Sequence, residues 1–302
     1  MRKQFKWTEK NLKKLEDVLI ILDKLDNYKP LTLRQVYYQL VGSGKIPNNV
    51  SQYTMLSKLV KWARIDGYID WNDIEDRVRA FQDLRGFDNK ESFISQEIDY
   101  FLNGYSRNLL QSQDKYIEIW IEKDALRTIF TDIARNYNVP VITCRGFTSV
   151  SFLNDFRKRV QFYNQRNKNV LMLYFGDFDP SGMEMLRAMK ITLEQEMNLT
   201  GIYFKRIALT KEDIEKYDLP YDPAAIKKSD TRTKKFIDEY GSYAVELDAL
   251  EPEVLSDKIK NAIENEIDLD KYYREYDSYK IEIDKLNLLR NSVINFIKTN
   301  WE

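Results

Sequence analysis

The sequence predicts an α/β protein of more than one domain, and three patterns along its 302 residues support this. Apolar residues recur at helical spacing near the N-terminus, strand-like runs alternate with helical runs from residue 116, and the residues after 250 are helical and heavily charged. We expect a helix-turn-helix domain over residues 1–80, a linker helix over 81–112, a sheet domain over 113–250 and a helical C-terminal region over 251–302.

Three short helices and a hairpin are the first elements that the sequence predicts. Apolar residues between Leu12 and Leu22 indicate the first helix. The run LTLRQVYYQLVGSG indicates the second, which starts after Pro30 with Thr32 as its cap and ends at its glycines. The third covers residues 51–66, and GYIDWNDIEDRVR then alternates like the hairpin of a wing. This order is typical of a winged helix-turn-helix domain that lays its third helix on DNA.

Residues 27–65 contain no aspartate or glutamate, although acids make up 48 of the 302 residues. This window carries a local charge of +6, which is a candidate footprint for a phosphate backbone. The whole chain is nearly neutral, with 47 basic and 48 acidic residues, so only the local distribution points to a polyanionic partner. A helical dimerisation domain with a solvated basic face is the alternative. The residues expected to contact DNA in this window are Lys45, Lys58, Lys61 and Arg64.

Four strand-like runs alternate with helical runs from Tyr116 onward. Such alternation predicts a Rossmann-like, mostly parallel sheet with helices on both faces. Active groups in such sheets collect at the carboxyl ends of the strands. We expect the strands at 116–122, 139–144, 169–177 and 202–209, and the helices at 124–137, 148–163 and 181–197.

Three carboxylates close two of these strands: Glu122 in IWIEKDAL, and Asp177 and Asp179 in GDFDPSG. The chain contains no histidine, which excludes Ser-His and Cys-His nucleophile systems and most catalytic zinc sites. If the first and third strands are neighbours, the three acids share one crevice, where their oxygens suit Mg²⁺ or Mn²⁺. The alternative is that Asp179 only caps the following helix and Asp177 is a solvated strand terminus.

These motifs together resemble the A subunit of DNA topoisomerase VI and the related meiotic double-strand-break protein, which couple a winged-helix domain to a Toprim domain. The R-x-x-Y-Y motif of that family matches Arg34 and the pair Tyr37–Tyr38 in LRQVYYQL. Its V-E-K strand end matches Glu122 and Lys123, and its D-x-D-P-x-G motif matches GDFDPSG. The resemblance covers about residues 30–210. Because the chain is short and has no ATPase module, it looks most like the stand-alone Mini-A relatives.

The resemblance implies DNA cleavage of the kind that type II, ATP-hydrolysing-class topoisomerases perform on double-stranded DNA. It implies that Tyr38 attacks the DNA to give a 5′-phosphotyrosyl link, that Arg34 assists, and that Glu122 is a metal ligand or the general acid. Glu122, Asp177 and Asp179 would hold Mg²⁺ or Mn²⁺, as one or two ions. A homodimer is implied, in which the tyrosine of one chain works with the metal site of the other. ATP would enter only through a separate GHKL-type B-like subunit.

Four residues near these motifs carry further expectations. Lys123, next to Glu122 on a strand, should point to the opposite side and pack or contact backbone. Arg145 would contact a DNA phosphate or lie in a solvated loop; it is in CRGFTSVSF, which stands where the family has Gly-Lys-Gly and Thr-Arg. Glu246 and Asp248, in VELDALEPEVLSDKI, are expected to be structural or to add to the acidic site.

Two other functions are compatible with the same residues. A hydrolytic Toprim nuclease of the defence or mobile-element type would use water in place of Tyr38, and a non-cleaving DNA-binding module would need a partner. Cys144 is the single cysteine, the N-terminal run MRKQFKWTEKNLKK lacks the apolar segment of a signal peptide, and no run resembles a membrane span. We therefore expect a cytoplasmic, nucleoid-associated protein without a membrane partner.

Overall fold

A computed structural model describes residues 5–75, 86–144, 149–221, 231–241 and 243–300 of the chain. The chain divides into two compact units. The first combines Met1–Val78 with Lys115–Asn265, and the second combines Arg79–Asp114 with Glu266–Glu302. The structure is α/β, with a parallel four-stranded sheet and a long C-terminal helix, as the sequence predicts. The N-terminal helices and the sheet belong to the same unit.

Three helices begin the first unit: α1 (Glu9–Lys24), α2 (Leu33–Gly42) and α3 (Val50–Ile65). The start of α2 is where the sequence predicts it, because Thr32 and Gln35 form a capping box. Thr32 Oγ1 accepts from the Gln35 backbone N–H at 3.0 Å, and Gln35 Oε1 accepts from the Thr32 N–H at 2.8 Å. The residues that the three helices bury together include Leu15, Val18, Leu22, Val36, Leu40, Leu56, Leu59 and Val60.

The expected wing is not formed within residues 67–75. The strand found there, β2 (Ile74–Glu75), pairs in parallel with β1 (Leu31–Thr32), which directly precedes α2. The short polar run before β2 forms turns instead, with Asn72 N–H donating to Asp70 Oδ1 at 2.7 Å. Residues 76–80, the remainder of the predicted hairpin, lie outside the described residues.

The sheet has four parallel strands in the order β4-β3-β5-β6. All four coincide with predicted runs. The strands that carry the acids, β3 and β5, are direct neighbours, and the last residue of β3, Ile121, pairs with the last residue of β5, Phe175. Their carboxyl ends therefore meet at the same edge of the sheet. The strands are β3 (Lys115–Ile121), β4 (Val141–Thr143), β5 (Asn169–Phe175) and β6 (Ile202–Ala208).

Helices cover both faces of the sheet, as the strand-helix alternation predicts. On one face, Trp120 and Tyr174 pack with residues of α6 and α7 in one buried cluster. On the other face, Phe130 of α5 meets Phe175 edge to face, with ring centroids 4.8 Å apart, and α10 packs on α5. The helices of this part are α5 (Arg127–Arg135), α6 (Val150–Asn164), α7 (Pro180–Ile191), α8 (Lys211–Lys216), α9 (Thr231–Tyr240) and α10 (Pro252–Glu264).

The second unit contains α4 (Lys90–Tyr100) and α11 (Leu269–Asn300). Arg107 forms ion pairs with two acids of α11, one of them Glu275 at 2.7 Å. Gln113 exchanges two hydrogen bonds of 2.8 Å with the backbone of Asp268. The predicted linker and the end of the chain thus belong to one body. Among the described helices, none is both long and apolar enough to cross a membrane.

Candidate active site

Glu122 and Asp177 meet at the carboxyl edge of the sheet. Glu122 follows β3 directly, and its backbone N–H donates to the Phe175 carbonyl at 3.0 Å. Its Oε2 accepts from the Asp177 backbone N–H at 2.9 Å and from the Tyr174 hydroxyl at 3.5 Å. The condition set by the sequence, that the first and third strands are neighbours, is met, and the two acids share one crevice.

Asp177 and Asp179 have different roles in the loop after β5. Asp177 is only 6% exposed, and its Oδ1 accepts from the Leu247 N–H at 2.8 Å. Asp179 caps α7: its Oδ1 accepts from the Gly182 N–H at 2.7 Å, and Pro180 is the first helical residue. Asp179 is thus the helix cap, and Asp177 is buried rather than solvated. The capping hydrogen bond uses only one of the two carboxylate oxygens of Asp179.

Burial and mutual repulsion oppose the ionisation of these acids. Burial raises the pKa of Glu122 to about 7, and the charge of Asp177 adds to the rise. Burial also raises the pKa of Asp177, against the opposing effects of the Lys123 ammonium and the Leu247 N–H. Crowded, buried carboxylates of this kind are stabilised by a cation placed among them.

Close packing around Glu122 requires glycine at two positions. A Cβ at Gly176 would lie 2.7 Å from Glu122 Oε2, and one at Gly182 would lie 2.9 Å from the same oxygen. Arg206 of β6 holds the loop between them, donating to the carbonyls of Gly176 at 3.1 Å and Asp177 at 2.5 Å. Arg206 was not among the predicted site residues, although an arginine within a predicted strand is a signal for a buried partner.

Lys123 forms ion pairs with three carboxylates, so the expectation that it packs or contacts backbone is wrong. Its Nζ lies 2.8 Å from Asp248 Oδ2 and 3.2 Å from both Asp177 Oδ2 and Glu246 Oε2. Strand alternation does not apply, because β3 has ended and Lys123 lies in the connection to α5. Burial by itself lowers the pKa of Lys123, but the charges of Asp248 and Asp177 reverse this and raise it.

Glu246 and Asp248 connect the N-terminal helices to the sheet. Asp248 is 1% exposed and accepts from Thr32 Oγ1 at 3.1 Å as well as from Lys123. Glu246 forms ion pairs with Arg34 of α2 and with Lys123. The sequence left open whether these acids are structural or belong to the site. Their structural role is seen here, since they hold two cations in place beside the strand ends; an addition to the acidic site stays a prediction.

An antiparallel bridge places the segment that carries these two acids. Phe178 N–H donates to the Val245 carbonyl at 2.9 Å, and the reverse bond is 3.0 Å long. Because Phe178 lies inside the D-x-D motif, the bridge holds residues 245–248 against the loop after β5. We refer to Glu122, Asp177, Asp179, Glu246 and Asp248 as the acidic cluster.

The two tyrosines of α2 have different surroundings. Tyr37 is buried, its hydroxyl lies 3.0 Å from Asn48 Oδ1, and it accepts from the Asn49 N–H at 2.8 Å. Tyr38 is half-buried, and its hydroxyl forms no hydrogen bond among the described residues. Tyr37 is therefore a structural residue, and Tyr38 is the one available for another role.

Charged groups of α2 and of the carboxyl edge of the sheet, all in one chain, shift the pKa of Tyr38. Burial raises the pKa of Tyr38 to about 12. Arg34 and Lys123 lower this pKa, whereas Asp248 and Asp177 raise it. The phenol is thus neutral near pH 7, and the two cations are the groups that favour its ionised form.

Removing each tyrosine hydroxyl should separate these roles. We expect Tyr37→Phe to lower the free energy of unfolding by about 1–3 kcal/mol, because it leaves the Asn49 N–H without its acceptor. Tyr38→Phe should change it by less than about 0.5 kcal/mol, since no hydrogen bond is lost. Urea unfolding of both variants measures the difference. Equal losses would contradict the assignment of Tyr37 as the structural member of the pair.

The predicted DNA-binding residues do not all lie in the same environment. Lys58 and Lys61 are exposed on α3, and Arg64 is half-buried one turn further along. Lys45 forms an ion pair of 2.9 Å with a carboxylate of α1. Arg145 lies outside the described residues. The cations of α3 are therefore the ones whose positions fit a phosphate surface best.

The donor chemistry of the acidic cluster suits a hard divalent cation, because its ligands are carboxylate oxygens. A cation would also relieve the repulsion that adds to the raised pKa of Glu122. Lys123 already supplies one positive charge beside Asp177. Within the ranges described above, no group of three acidic or cysteine side chains is arranged to hold a metal ion. A metal at Glu122, Asp177 and Asp179 stays a prediction.

Fold and site together define an α/β protein whose parallel sheet carries an acidic cluster and a lysine at its carboxyl edge. Neither a protein-family model nor a curated protein matches the chain. Its function is therefore inferred from the site itself.

Proposed function

We propose that the protein is a DNA-cleaving transesterase similar to topoisomerase VI A subunits, with Tyr38 as the nucleophile. The observation that carries this proposal is the position of the Tyr38 hydroxyl, which is close enough to Lys123, Asp177 and Asp248 of the same chain for their charges to shift its pKa. A tyrosine, cations and carboxylates in one place are the groups that a phosphodiester transesterification requires. The cations of α3 offer a surface for the duplex.

The proposed reaction exchanges one phosphoester for another and needs no redox partner. A bond forms between Tyr38 Oη and phosphorus, the bond from phosphorus to the 3′ oxygen breaks, and a 5′-phosphotyrosyl link results. The phenol proton passes to water, and the 3′ oxygen takes a proton from Glu122, whose pKa of about 7 keeps it partly protonated. Arg34 and Lys123 stabilise the phenolate and the phosphate charge.

Glu122, Asp177 and Asp179 would hold Mg²⁺ or Mn²⁺, as one or two ions, in this proposal. An ion bound there stabilises charge on the phosphate and on the leaving oxygen. Lys123 opposes the protonation of Asp177, which keeps that carboxylate available as a ligand. If Glu122 serves as a ligand, water supplies the proton to the 3′ oxygen instead.

Covalent capture of DNA tests the proposal. Duplex labelled at its 5′ and 3′ ends is incubated with the protein and Mg²⁺ or Mn²⁺ and then denatured with detergent. We expect labelled DNA to stay on the wild-type protein and to fall by at least about 100-fold with Tyr38→Phe, because no other phenol replaces the nucleophile. Tyr37→Phe, assayed well below its melting temperature, is the matched control and should retain the adduct.

Two outcomes would contradict the transesterase. Free cut ends from both the wild type and Tyr38→Phe would show hydrolysis, which is the nuclease alternative. One observation favours that second candidate: burial raises the pKa of Tyr38 to about 12, which makes the free phenol a poor nucleophile. Metal-independent DNA binding without any cutting would instead indicate a non-cleaving module that needs a partner.

The homodimer that the resemblance implies, in which the tyrosine works in trans, competes with this single-chain arrangement and has its own test. Tyr38→Phe and Glu122→Gln proteins are mixed under conditions that allow subunit exchange. If the tyrosine works in trans, the mixed dimer contains one intact half-site, and single-strand cleavage returns. If Tyr38 works with the cluster of its own chain, no half-site is intact and the mixture stays inactive, which would overturn the exchange.

A further inference from the structure

A cleft of about 620 Å³ lies in the first unit between α3 and the carboxyl edge of the sheet. Cavities of about 300–1,000 Å³ are typical of sites for small ligands. The lining contains basic and aromatic side chains, which are typical of sites that bind nucleotides along a strand, and also the acids Glu75 and Asp248. The lining residues that matter here are Arg34, Tyr53, Lys61, Arg64, Trp71 and Lys123.

The available positive charge of this cleft is on its α3 side. Arg34 and Lys123 already form ion pairs with the acidic cluster. Lys61 and Arg64, in contrast, form no ion pair with a carboxylate in the part of the chain that the structure describes, and Arg64 Nε is buried there without a hydrogen-bond partner. A phosphate in the cleft would pair with the ammonium of Lys61 and with the guanidinium of Arg64, whose Nη2 donates to the Trp71 carbonyl at 3.1 Å.

Trp71 provides a flat apolar surface next to these cations. Its side chain is 61% exposed, and the Arg64 guanidinium lies 4.6 Å from the ring centroid. A second cavity of about 340 Å³ also includes Trp71 and Arg64, so the ring stands at the junction of the two. Exposed tryptophan beside arginine is a platform on which nucleic-acid bases stack.

We propose that this cleft binds one unpaired nucleotide unit of a nucleic-acid strand, with its phosphate at Lys61 and Arg64 and its base against Trp71. The volume suits one or two nucleotides and not a duplex. Since the cleft extends to Lys123 and Asp248, a strand held in it continues toward the acidic cluster. This binding site would deepen the proposed function, and its biological role rests on that function. The binding itself requires neither Tyr38 nor a metal.

Calorimetric titration of the full chain tests the inference. The titration is done in EDTA, which removes divalent metal so that cleavage does not contribute to the heat. The probes are 5′-phosphorylated tetrathymidylate, thymidine 5′-monophosphate and a blunt duplex. We expect the tetranucleotide to bind best, and Lys61→Ala and Trp71→Ala each to weaken it about tenfold. Trp71→Phe should retain most of the affinity because a ring remains, and it also serves if Trp71→Ala does not fold.

Lys13→Ala is the control, since Lys13 is exposed on α1 and does not line the cleft. Its affinity for the tetranucleotide should equal that of the wild type. Equal weakening by Lys13→Ala and Lys61→Ala would overturn the cleft in favour of a diffuse basic surface. Thymidine monophosphate binding as tightly as the tetranucleotide would overturn the strand and indicate a free nucleotide. These results do not depend on whether covalent capture succeeds.

Discussion

Lys123→Met is expected to lower the free energy of unfolding by about 3 kcal/mol, at the lower end of the cost of breaking a buried ion pair. The substitution leaves Asp248, which is 1% exposed, and Asp177 without the ammonium that lies 2.8 Å and 3.2 Å from them. An unpaired buried charge is costly because the site lacks the water that would solvate it. Urea unfolding at pH 7 measures the loss.

Lys158→Met is the control for this change. Lys158 forms an ion pair of 3.0 Å with Asp155, and both side chains are exposed on α6, so we expect a change below about 1 kcal/mol. Adding Asp248→Asn to Lys123→Met should restore part of the stability, because it removes the unpaired charge. A loss from Lys123→Met no larger than that from Lys158→Met would show that the Lys123 pairs are not buried enough to matter.

The same variant also reports on the predicted metal. Without the ammonium of Lys123, no cation opposes the effect of burial, which raises the pKa of Asp177, so a bound metal ion would stabilise the charge of Asp177 more than in the wild type. We therefore expect Mg²⁺ or Mn²⁺ to raise the melting temperature of Lys123→Met by more than that of the wild type, as linkage requires for an ion that binds only the folded chain. Equal shifts in the two proteins would argue against an ion at the acidic cluster.

Gly182→Ala is expected to destabilise the first unit by about 1–3 kcal/mol, the usual cost of forcing an extra methyl group into a packed site. The new Cβ would overlap the Asp177 carbonyl oxygen and lie 2.9 Å from Glu122 Oε2. Neither neighbour is a flexible side-chain end that can move freely, since the Glu122 carboxylate is held by the Asp177 N–H. The variant should also lose the proposed DNA cleavage, because Glu122 is displaced.

Gly42→Ala is the matched control, because Gly42 is also a helical glycine but has no atom within 4 Å of the added Cβ. Alanine is the better helix former, so this change should stabilise the protein by about 0.5–1 kcal/mol. The two Gly→Ala variants are thus predicted to differ in sign, and melting temperatures suffice to compare them. Stabilisation by Gly182→Ala would show that the D-P-x-G turn relaxes without disturbing Glu122.

Local patterns were sufficient for the elements that place Glu122 and Asp177. Strand and helix periodicity identified all four strands. Because active groups collect at the carboxyl ends of parallel strands, the same pattern predicted that Glu122 and Asp177 lie close together. The capping signal at Thr32 likewise identified the start of α2, because it depends on residues only three positions apart. The expected hairpin is not seen within residues 67–75, where β2 pairs with β1, a strand far away in the sequence. The remainder of the predicted hairpin lies outside the described residues.

The chemical character of the site was thus set by composition: without histidine, a tyrosine, carboxylates and basic side chains are the candidates, and their types can be read from the chain. Only the tertiary structure decided which of them meet. Asp248 accepts from Thr32 across 216 residues, and Lys123 reaches the acids from a connection where strand alternation no longer applies. Such contacts depend on how distant segments pack against each other. The burial of apolar surface that drives this packing involves the whole domain, so no short stretch of sequence encodes it.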